Sequence, residues 1–424
     1  MNLRGIFWVL AAVCGAGCSA FAGPAPVERA AVQSPAAPAE NAASATDARL
    51  GGDEVRTRFI VDLSKNVEFS AFTLADPYRV VVDLPQIAFR LPPKAGERGR
   101  GLIKAFRFGL VMPGGSRIVL DATGPVRIDK AFVFDPVDGQ PARLVLDLLA
   151  VDRDTFLRNL AAEAKAKRQA EPARKGENHS PPAAAADGRP VIVIDPGHGG
   201  LDAGTTASTG EAEKAIVLDF ARDLRDKLDK GGKYRVVMTR SDDSFVTLSE
   251  RVRIARNNKA ALFVSIHADA LARRDADTRG ATVYTLSSTA TDAEAARLAE
   301  AENKADAIAG VDLSAEPDEV ADILIDLAQR ETKTFAAQFA RTLVGELKTA
   351  ARLHKHPLRS AGFKVLKAPD VPSVLVELGY MSSHHDLKLM TSEAWRKRAT
   401  DSITQAINSF FATRLAGAAQ GGPN

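Results

Sequence analysis

Two histidines, each just past a short apolar run, constrain the fold of this chain more than any other feature. The first run, residues 191–194, is broken by Asp195-Pro196-Gly197 immediately before His198. The second, residues 261–266, leads directly into His267. Short apolar runs rich in β-branched residues and bounded by turn residues predict buried strands. Ligands bind at the carboxyl ends of strands in open α/β sheets, so both imidazoles are predicted to lie at one functional edge.

A glutamate between the two histidines extends this set of polar residues. Glu213 begins a predicted helix whose apolar residues recur at helical spacing: Ile216, Val217, Phe220, Leu224 and Leu228. Two neutral imidazoles and one carboxylate suit a catalytic zinc ion that keeps one coordination position open for water. Asp195 and Asp269 are alternative metal ligands, although Asp195 is expected to shape the turn instead.

A second glutamate ends a later predicted strand. Glu377 follows the apolar run 374–376. Burying a carboxylate is costly unless it meets a cation, a metal or a water molecule that it can polarise. At the same sheet edge as His198 and His267, Glu377 is predicted to be the general base for a metal-activated water and then the acid for a leaving amine.

The remaining histidines of this half lie in polar segments that are predicted to be exposed, and none is expected to be catalytic: His354, His356, His384 and His385. His356 is the first candidate for an exception, because it precedes a predicted strand at residues 363–366. Together with Arg359, it could reach a substrate groove.

Alternating strand and helix patterns after residue 189 predict an α/β domain with a mostly parallel sheet flanked by helices. A different pattern precedes it, because a motif of Arg, three apolar residues and Asp recurs four times, at residues 58–62, 79–83, 117–121 and 143–147. In a strand each Arg shares a face with its Asp, which predicts a small all-β sandwich with a charged outer face. The charged residues either keep the exposed strands solvated or bind a polar polymer.

The N-terminus is typical of an export signal. It has Arg4, an apolar core at residues 6–13 and the small-residue cleavage site Ala20-Phe21-Ala22, so residues 1–22 are predicted to be a signal peptide. The apolar core is too short to span a membrane in the mature chain. Cleavage would remove both cysteines and leave no thiolate ligand, whereas acylation of Cys18 would make a lipoprotein instead.

Composition divides the remaining chain into a disordered spacer at 23–52, the sandwich at 53–150, a helical and Pro/Ala-rich linker at 151–188, the α/β catalytic domain at 189–416 and a flexible tail at 417–424. The net charge of +3 is small for 424 residues. Lys and Arg are dispersed, with no aromatic platform or basic stripe, so nucleic acid is not an expected partner.

The motifs DPGHGG at His198, EK at Glu213, SIHAD at His267 and VLVELGYMS at Glu377 resemble those of the zinc-dependent N-acetylmuramoyl-L-alanine amidases of the periplasmic cell-separation type. One departure is Ser383, where that family often has Asn. Residues 53–150 resemble the AMIN domain, which targets such enzymes to the septal cell wall.

This resemblance implies that His198, Glu213 and His267 bind zinc and that Glu377 is catalytic. The implied reaction is hydrolysis of the amide bond between N-acetylmuramic acid and L-alanine in peptidoglycan, which splits the septal wall in the periplasm. Another zinc hydrolase of the wall, such as a carboxypeptidase, and a non-catalytic wall-binding divisome scaffold are the alternatives.

The segment from 289 to 348 is long for a connection between two strands, and it carries several acidic residues. A pair of crossover helices packed on the sheet would account for it. In the resembled family, a comparable insertion covers the zinc with an autoinhibitory helix that a LytM-type activator, with a degenerate peptidase domain, displaces. Because unrestrained cleavage of the wall would lyse the cell, we expect an acidic residue of this segment, with Glu302 as the first candidate, to occupy the open zinc position in the resting enzyme.

Overall fold

The computed structural model describes residues 43–75, 77–111, 115–137, 139–170, 188–270, 279–311 and 323–420, which belong to one compact unit. The predicted signal peptide with Cys18, the first part of the predicted spacer and most of the Pro/Ala-rich linker lie outside these residues.

The N-terminal part of the described chain consists of nine strands and one helix: β1 Ser44–Gly52, β2 Arg56–Leu63, β3 Ser70–Leu74, β4 Arg79–Pro85, β5 Ala88–Phe89, β6 Ile103–Val111, β7 Gly115–Ala122, β8 Val126–Phe134, β9 Ala142–Ala150 and α1 Arg153–Ala170. The C-terminal part alternates strands and helices: β10 Val191–Pro196, α2 Glu213–Gly231, β11 Arg235–Met238, β12 Ser244–Phe245, α3 Leu248–Asn257, β13 Leu262–His267, β14 Ala281–Leu286, α4 Ala293–Glu302, α5 Ala305–Ile308, α6 Ile323–Leu347, β15 Leu353–Ala361, β16 Ser373–Glu377, α7 His384–Met390 and α8 Glu393–Gln420.

The first nine strands form the predicted sandwich. One sheet has the order β5-β1-β2-β9-β8, and the other has the order β6-β7-β4-β3 with β12 added in parallel at the β6 edge. The Arg and Asp repeats occupy two neighbouring antiparallel strands in each sheet. Their register sets each Arg opposite an Asp, as for Arg58 and Asp147 across β2 and β9 and for Arg117 and Asp83 across β7 and β4.

Two boundaries predicted from the sequence are wrong. The spacer was expected to remain disordered to residue 52, but Ser44–Gly52 is strand β1, which pairs antiparallel with β2. Backbone hydrogen bonds from the neighbouring strand order this Ala-rich and Gly-containing segment, and composition does not report them. At the other end, α8 continues to Gln420, past the predicted domain limit at residue 416.

The C-terminal strands other than β12 form one six-stranded sheet in the order β11-β10-β13-β16-β14-β15, in which only the β14–β16 pair is antiparallel. Helices α2, α6 and α8 pack on one face, whereas α3 and α4 cover the other. The predicted α/β class with a mostly parallel sheet is therefore confirmed. The predicted strand at residues 363–366 is wrong, because Lys364–Leu366 forms a 3-10 turn. A short buried apolar run does not by itself distinguish a strand from a turn packed on the core.

None of the helices in the described ranges combines the length and the apolar character that crossing a membrane would require.

Candidate active site

Three neighbouring parallel strands bring the predicted site residues to one edge of the sheet. His198 follows β10 by two residues, His267 is the last residue of β13, and Glu377 is the last residue of β16. β13 pairs with both neighbours, and its register sets His267 directly opposite Glu377. The carboxyl ends of the strands therefore converge as the sequence predicts.

Glu213, the first residue of α2, lies between the two imidazoles. Its Oε1 is 3.2 Å from His198 Nε2 and 3.4 Å from His267 Nδ1. One ligand atom from each of His198, Glu213 and His267 lies within 4.8 Å of the other two, so these three buried residues could hold a metal ion. We call them the metal-competent cluster.

Hydrogen bonds fix the orientation of two members of this cluster. Asp202 Oδ2 is 2.8 Å from His198 Nδ1, which leaves Nε2 facing Glu213. Backbone amides of Thr205 and Ala268 donate to the two Glu213 oxygens at 2.9 and 2.8 Å. Asp202 is an orienting residue that was not predicted from the sequence. Its position four residues after a candidate ligand was the available clue, because metal-binding histidines commonly hydrogen-bond a carboxylate through the other ring nitrogen.

Gly204 lets the chain pass close to the cluster. Its φ angle of +63° is in the left-handed region, and a Cβ there would lie 2.6 Å from Glu213 Oε2 and 2.7 Å from His198 Cδ2. Any larger residue would push the loop off the two candidate ligands.

The donor atoms and charges of the cluster fit a cation. His198 Nε2 and His267 Nδ1 are buried and make no hydrogen bond to any residue that the structure describes. Burial lowers the pKa of the His198 imidazole, but the carboxylates of Glu213, Asp202 and Glu302 outweigh burial and hold that pKa well above its usual value. A divalent metal ion bound by the buried ring nitrogens would neutralise this excess negative charge.

Glu377 lies beside the cluster and is fully buried. Its Oε2 accepts a hydrogen bond from the Asp269 amide at 3.0 Å, whereas its Oε1 has no hydrogen-bond partner in the described part of the chain. Burial, together with the Glu213, Asp269 and Glu302 carboxylates, raises the pKa of Glu377 well above its usual value. A hydrogen bond therefore fixes Oε2, whereas Oε1 is available to accept a proton.

A further carboxylate reaches the two histidines from α4. Glu302, the last residue of this helix, has its Oε2 3.2 Å from His267 Nδ1 and 3.6 Å from His198 Nε2. Burial raises its pKa to about 7. It continues the buried helical stripe of Ala295, Leu298 and Ala299, whereas Glu300 faces solvent. Helical spacing in the sequence thus already distinguishes Glu302 from its acidic neighbours.

The alternative metal ligands lie in hydrogen-bond networks of their own. Asp195 is fully buried and accepts hydrogen bonds from Thr239, Ser265 and Arg251 at 2.6, 2.7 and 2.6 Å. Arg251 also donates to the backbone oxygen of His198, so this network supports the histidine loop. Asp269 Oδ1 accepts a hydrogen bond from Thr205 Oγ1 at 2.6 Å, and Asp269 is not part of the metal-competent cluster.

The structure changes the expectation for His354 and Arg359. His354 was predicted to be exposed, but its side chain is buried in the described fold, next to Tyr380. Arg359 does not line an open groove in this state, because its Nη1 pairs with Glu294 at the start of α4, and Tyr284 Oη lies 3.4 Å away. Helix α4 therefore covers both the metal-competent cluster and Arg359.

Comparison with known proteins gives the family. A family model for N-acetylmuramoyl-L-alanine amidases matches residues 192–409, and a model of the AMIN domain matches residues 47–151. N-acetylmuramoyl-L-alanine amidase AmiC of Escherichia coli O6:H1 is 33% identical over 368 residues, which cover 84% of this chain and 87% of that protein. The chain belongs to the N-acetylmuramoyl-L-alanine amidase family.

Two further relatives agree with this assignment. AmiC of Neisseria meningitidis is 34% identical to the amidase over 382 residues, covering 87% of this chain and 90% of that protein. AmiA of Escherichia coli K12 is 36% identical over 240 residues, covering 56% of this chain and 82% of that protein. The amidase is thus an AMIN-containing hydrolase of peptidoglycan, acting on the bond between the N-acetylmuramoyl group and L-alanine.

Proposed function

We propose that the amidase uses one zinc ion, held by His198, Glu213 and His267, and that Glu377 is its general base. The observation that carries this proposal is that two buried ring nitrogens, which make no hydrogen bond within the described residues, lie within 4.8 Å of each other and of a carboxylate oxygen, next to Glu377 Oε1. Two imidazoles and one carboxylate are a common ligand set for catalytic zinc.

A zinc ion bound there would polarise the amide carbonyl and lower the pKa of a water molecule. The chain's own contribution is proton transfer and orientation. Glu377 Oε1 accepts the proton of the attacking water and donates it to the nitrogen of L-alanine as the C–N bond breaks. The products are a lactyl carboxylate on the glycan and a free amino group on the stem peptide. A raised pKa suits a group that must accept a proton and then release it.

The resting amidase is proposed to be autoinhibited by Glu302. Its Oε2 lies 3.6 and 3.2 Å from the ring nitrogens of His198 and His267, and α4 covers the cluster. Helix α4 buries mainly alanine and a single leucine on its inner face, so the apolar surface that holds it is modest. A LytM-type activator that binds the 289–348 insertion and moves α4 would open the site.

Replacement of Glu302 by alanine is expected to raise basal activity by about 5- to 150-fold, the range of a coupling free energy of 1–3 kcal/mol. The measurement is release of stem peptides from purified peptidoglycan, resolved by mass, without any activator. Glu300→Ala is the matched control, because Glu300 is on the same helix but faces solvent. Equal activity of Glu302→Ala and wild type would refute autoinhibition by this residue.

The same products test the reaction itself. Peptides that begin with free L-alanine identify the amidase reaction, whereas release of a single C-terminal amino acid would identify a carboxypeptidase. Loss of every product in all variants that still bind zinc would favour a wall-binding scaffold.

Arg359 is proposed to bind a carboxylate of the stem peptide after α4 has moved. Its present partners, Glu294 and Asp292, belong to the start of α4 and would leave with it, which would uncover a buried guanidinium in the same domain as Glu377. An arginine uncovered in this way would favour an anionic substrate group.

In the Glu302→Ala background, Arg359→Gln is expected to lower kcat/KM by about 10- to 100-fold, as for loss of a charged hydrogen bond. A substrate whose stem carboxylates are amidated should show little further loss. Arg352→Gln, which changes an exposed arginine nearby, is the control. Equal losses on native and amidated substrate would point to a structural role for Arg359 and contradict substrate binding.

The cellular setting follows from the N-terminal parts of the chain. We propose export to the periplasm by a signal peptide at residues 1–22, a targeting role at the division septum for the sandwich, and a regulatory role for the insertion at 289–348. The AMIN-domain match and the AmiC relatives support the first two assignments.

A further inference from the structure

The outer face of the second sandwich sheet carries a ladder of charges with valines between them. On β4 this face presents Arg79, Val81 and Asp83, and on β7 it presents Arg117, Val119 and Asp121. Arg117 pairs with Asp83, and Arg107 of β6 pairs with Asp121. The carboxylates thereby hold the guanidinium groups in fixed orientations.

Another part of the chain covers this outer face, since Val81 and Val119 are both 0% exposed. Leu201 belongs to the same buried apolar cluster as these valines. Residues 305–310, which follow Glu302 and include the short helix α5, also cover the face. Arg79 donates to the carbonyl oxygen of Ala307, and Arg107 donates to that of Ile308. Arg117 donates to the carbonyl oxygens of Ala309 and Gly310 at 3.2 and 3.0 Å. Three arginines therefore bind four successive carbonyl groups at and just after the end of α5, where backbone carbonyls run out of α-helical partners. The Ala307 carbonyl oxygen also accepts a hydrogen bond from the Gly310 amide at 3.1 Å.

Gly310 brings this segment into contact with the valines of the ladder. Its φ angle is +68°, and a Cβ at this position would lie 2.9 Å from Val119 Cγ2 and 3.0 Å from Val81 Cγ2. The segment therefore needs glycine here both for its backbone conformation and for its close approach to the sandwich.

We propose that this outer face, formed by Arg79, Arg107 and Arg117 with Val81 and Val119, is a latch that keeps Glu302 over the metal-competent cluster. The latch rests on the proposed inhibitory role of Glu302. Asp306, between Glu302 and the latched carbonyls, accepts a hydrogen bond from the Leu248 amide at 2.9 Å, so the segment connecting them is also fixed. Movement of α4 away from the site requires the arginines to release residues 307–310.

The latch implies that a ligand can compete with residues 307–310 for the three arginines. A ligand rich in carbonyl or carboxylate oxygens that takes the same three guanidinium groups excludes residues 307–310 from this face. Such a ligand must then weaken the inhibited state, and the inhibited state must weaken its binding by the same factor.

The four sequence repeats provide a matched control within the sandwich. Arg58 and Arg143 occupy the equivalent repeat positions in the first sheet, where they pair with Asp147 and Asp62 rather than with residues 307–310. The double variants Arg107→Gln/Arg117→Gln and Arg58→Gln/Arg143→Gln remove the same charge from strands of the sandwich. Arg107 lies on β6, next to the repeat strand β7, and the other three arginines are repeat positions. Only the first pair contacts the latched segment.

The test uses the zinc-loaded full chain without an activator. Arg107→Gln/Arg117→Gln is expected to raise peptide release from purified peptidoglycan on the order of tenfold. It should also speed amide hydrogen exchange in residues 302–311, whereas Arg58→Gln/Arg143→Gln should change neither. Gly310→Val, which forces the segment off the sandwich without altering any arginine, should act in the same direction. Thermal unfolding checks that each variant is folded.

Glu302→Ala, measured in parallel, separates the possible failures. If it raises activity and the latch variants do not, the latch is overturned while inhibition by Glu302 stands. If Glu302→Ala leaves activity unchanged, the inhibitory role fails, and with it the function of the latch. Unchanged exchange of residues 302–311 in the latch variants would overturn the latch whatever the activities are.

Discussion

Glu377→Gln is expected to lower the rate of peptide release by about 10²- to 10⁴-fold, the usual contribution of a positioned general base. Glutamine has nearly the shape of glutamate, and its amide oxygen can still accept the Asp269 amide hydrogen bond, but it cannot take a proton from water. Zinc content and thermal stability should therefore change little. The measurement is release of L-alanine-terminated peptides, in the wild-type chain and in Glu302→Ala.

The control for this variant is Glu211→Gln, because Glu211 is an exposed glutamate shortly before α2. It should retain wild-type activity. Should Glu377→Gln keep more than about a tenth of the rate, Glu377 would not be the general base, since the loss would fall below the range for such a group.

His267→Ala is expected to abolish stoichiometric zinc binding and, with it, peptide release. Changes to residues that merely orient a metal ligand cost about 10- to 100-fold in affinity, so loss of a direct ligand should cost more. Zinc affinity is measured by competition with a chelator, and activity on peptidoglycan is measured after dialysis against zinc. Chelation of the wild-type chain should remove activity reversibly.

Two further variants test whether the proposed zinc ligands are the correct ones. Asp202→Asn should weaken zinc binding by about 10- to 100-fold, because Asp202 orients His198 from behind. Asp269→Asn should retain zinc, because its carboxylate lies outside the cluster. Loss of zinc from Asp269→Asn with retention in His267→Ala would show that the ligand set is wrong.

Much of the site could be predicted because local patterns determine it. An apolar run that ends in a turn fixes where a strand stops, and parallel strands stop at the same edge of a sheet. His267 and Glu377, which are 110 residues apart in the sequence, therefore become direct neighbours across β13 and β16. Helical periodicity likewise assigns Glu213 to the start of α2.

Other parts of the molecule depend on contacts that no local pattern contains. Strand β1 forms because β2 offers it backbone partners, and the apolar run at 363–366 turns because it packs on an already folded sheet. The burial of Arg359 by α4 also depends on such a contact, because Arg359 pairs with Glu294, which lies 65 positions earlier in the sequence.

The sequence by itself determined the α/β class, the four-fold Arg and Asp repeat of the sandwich, and the convergence of His198, His267 and Glu377, because strand ends and side-chain alternation are local properties. Only the tertiary structure decided which repeats face the insertion. All four have the same pattern, yet Arg117 reaches Gly310, 193 residues away, and Arg58 does not. The physical reason is docking: side-chain alternation selects a face of a strand, but what covers that face depends on how separately folded segments pack together.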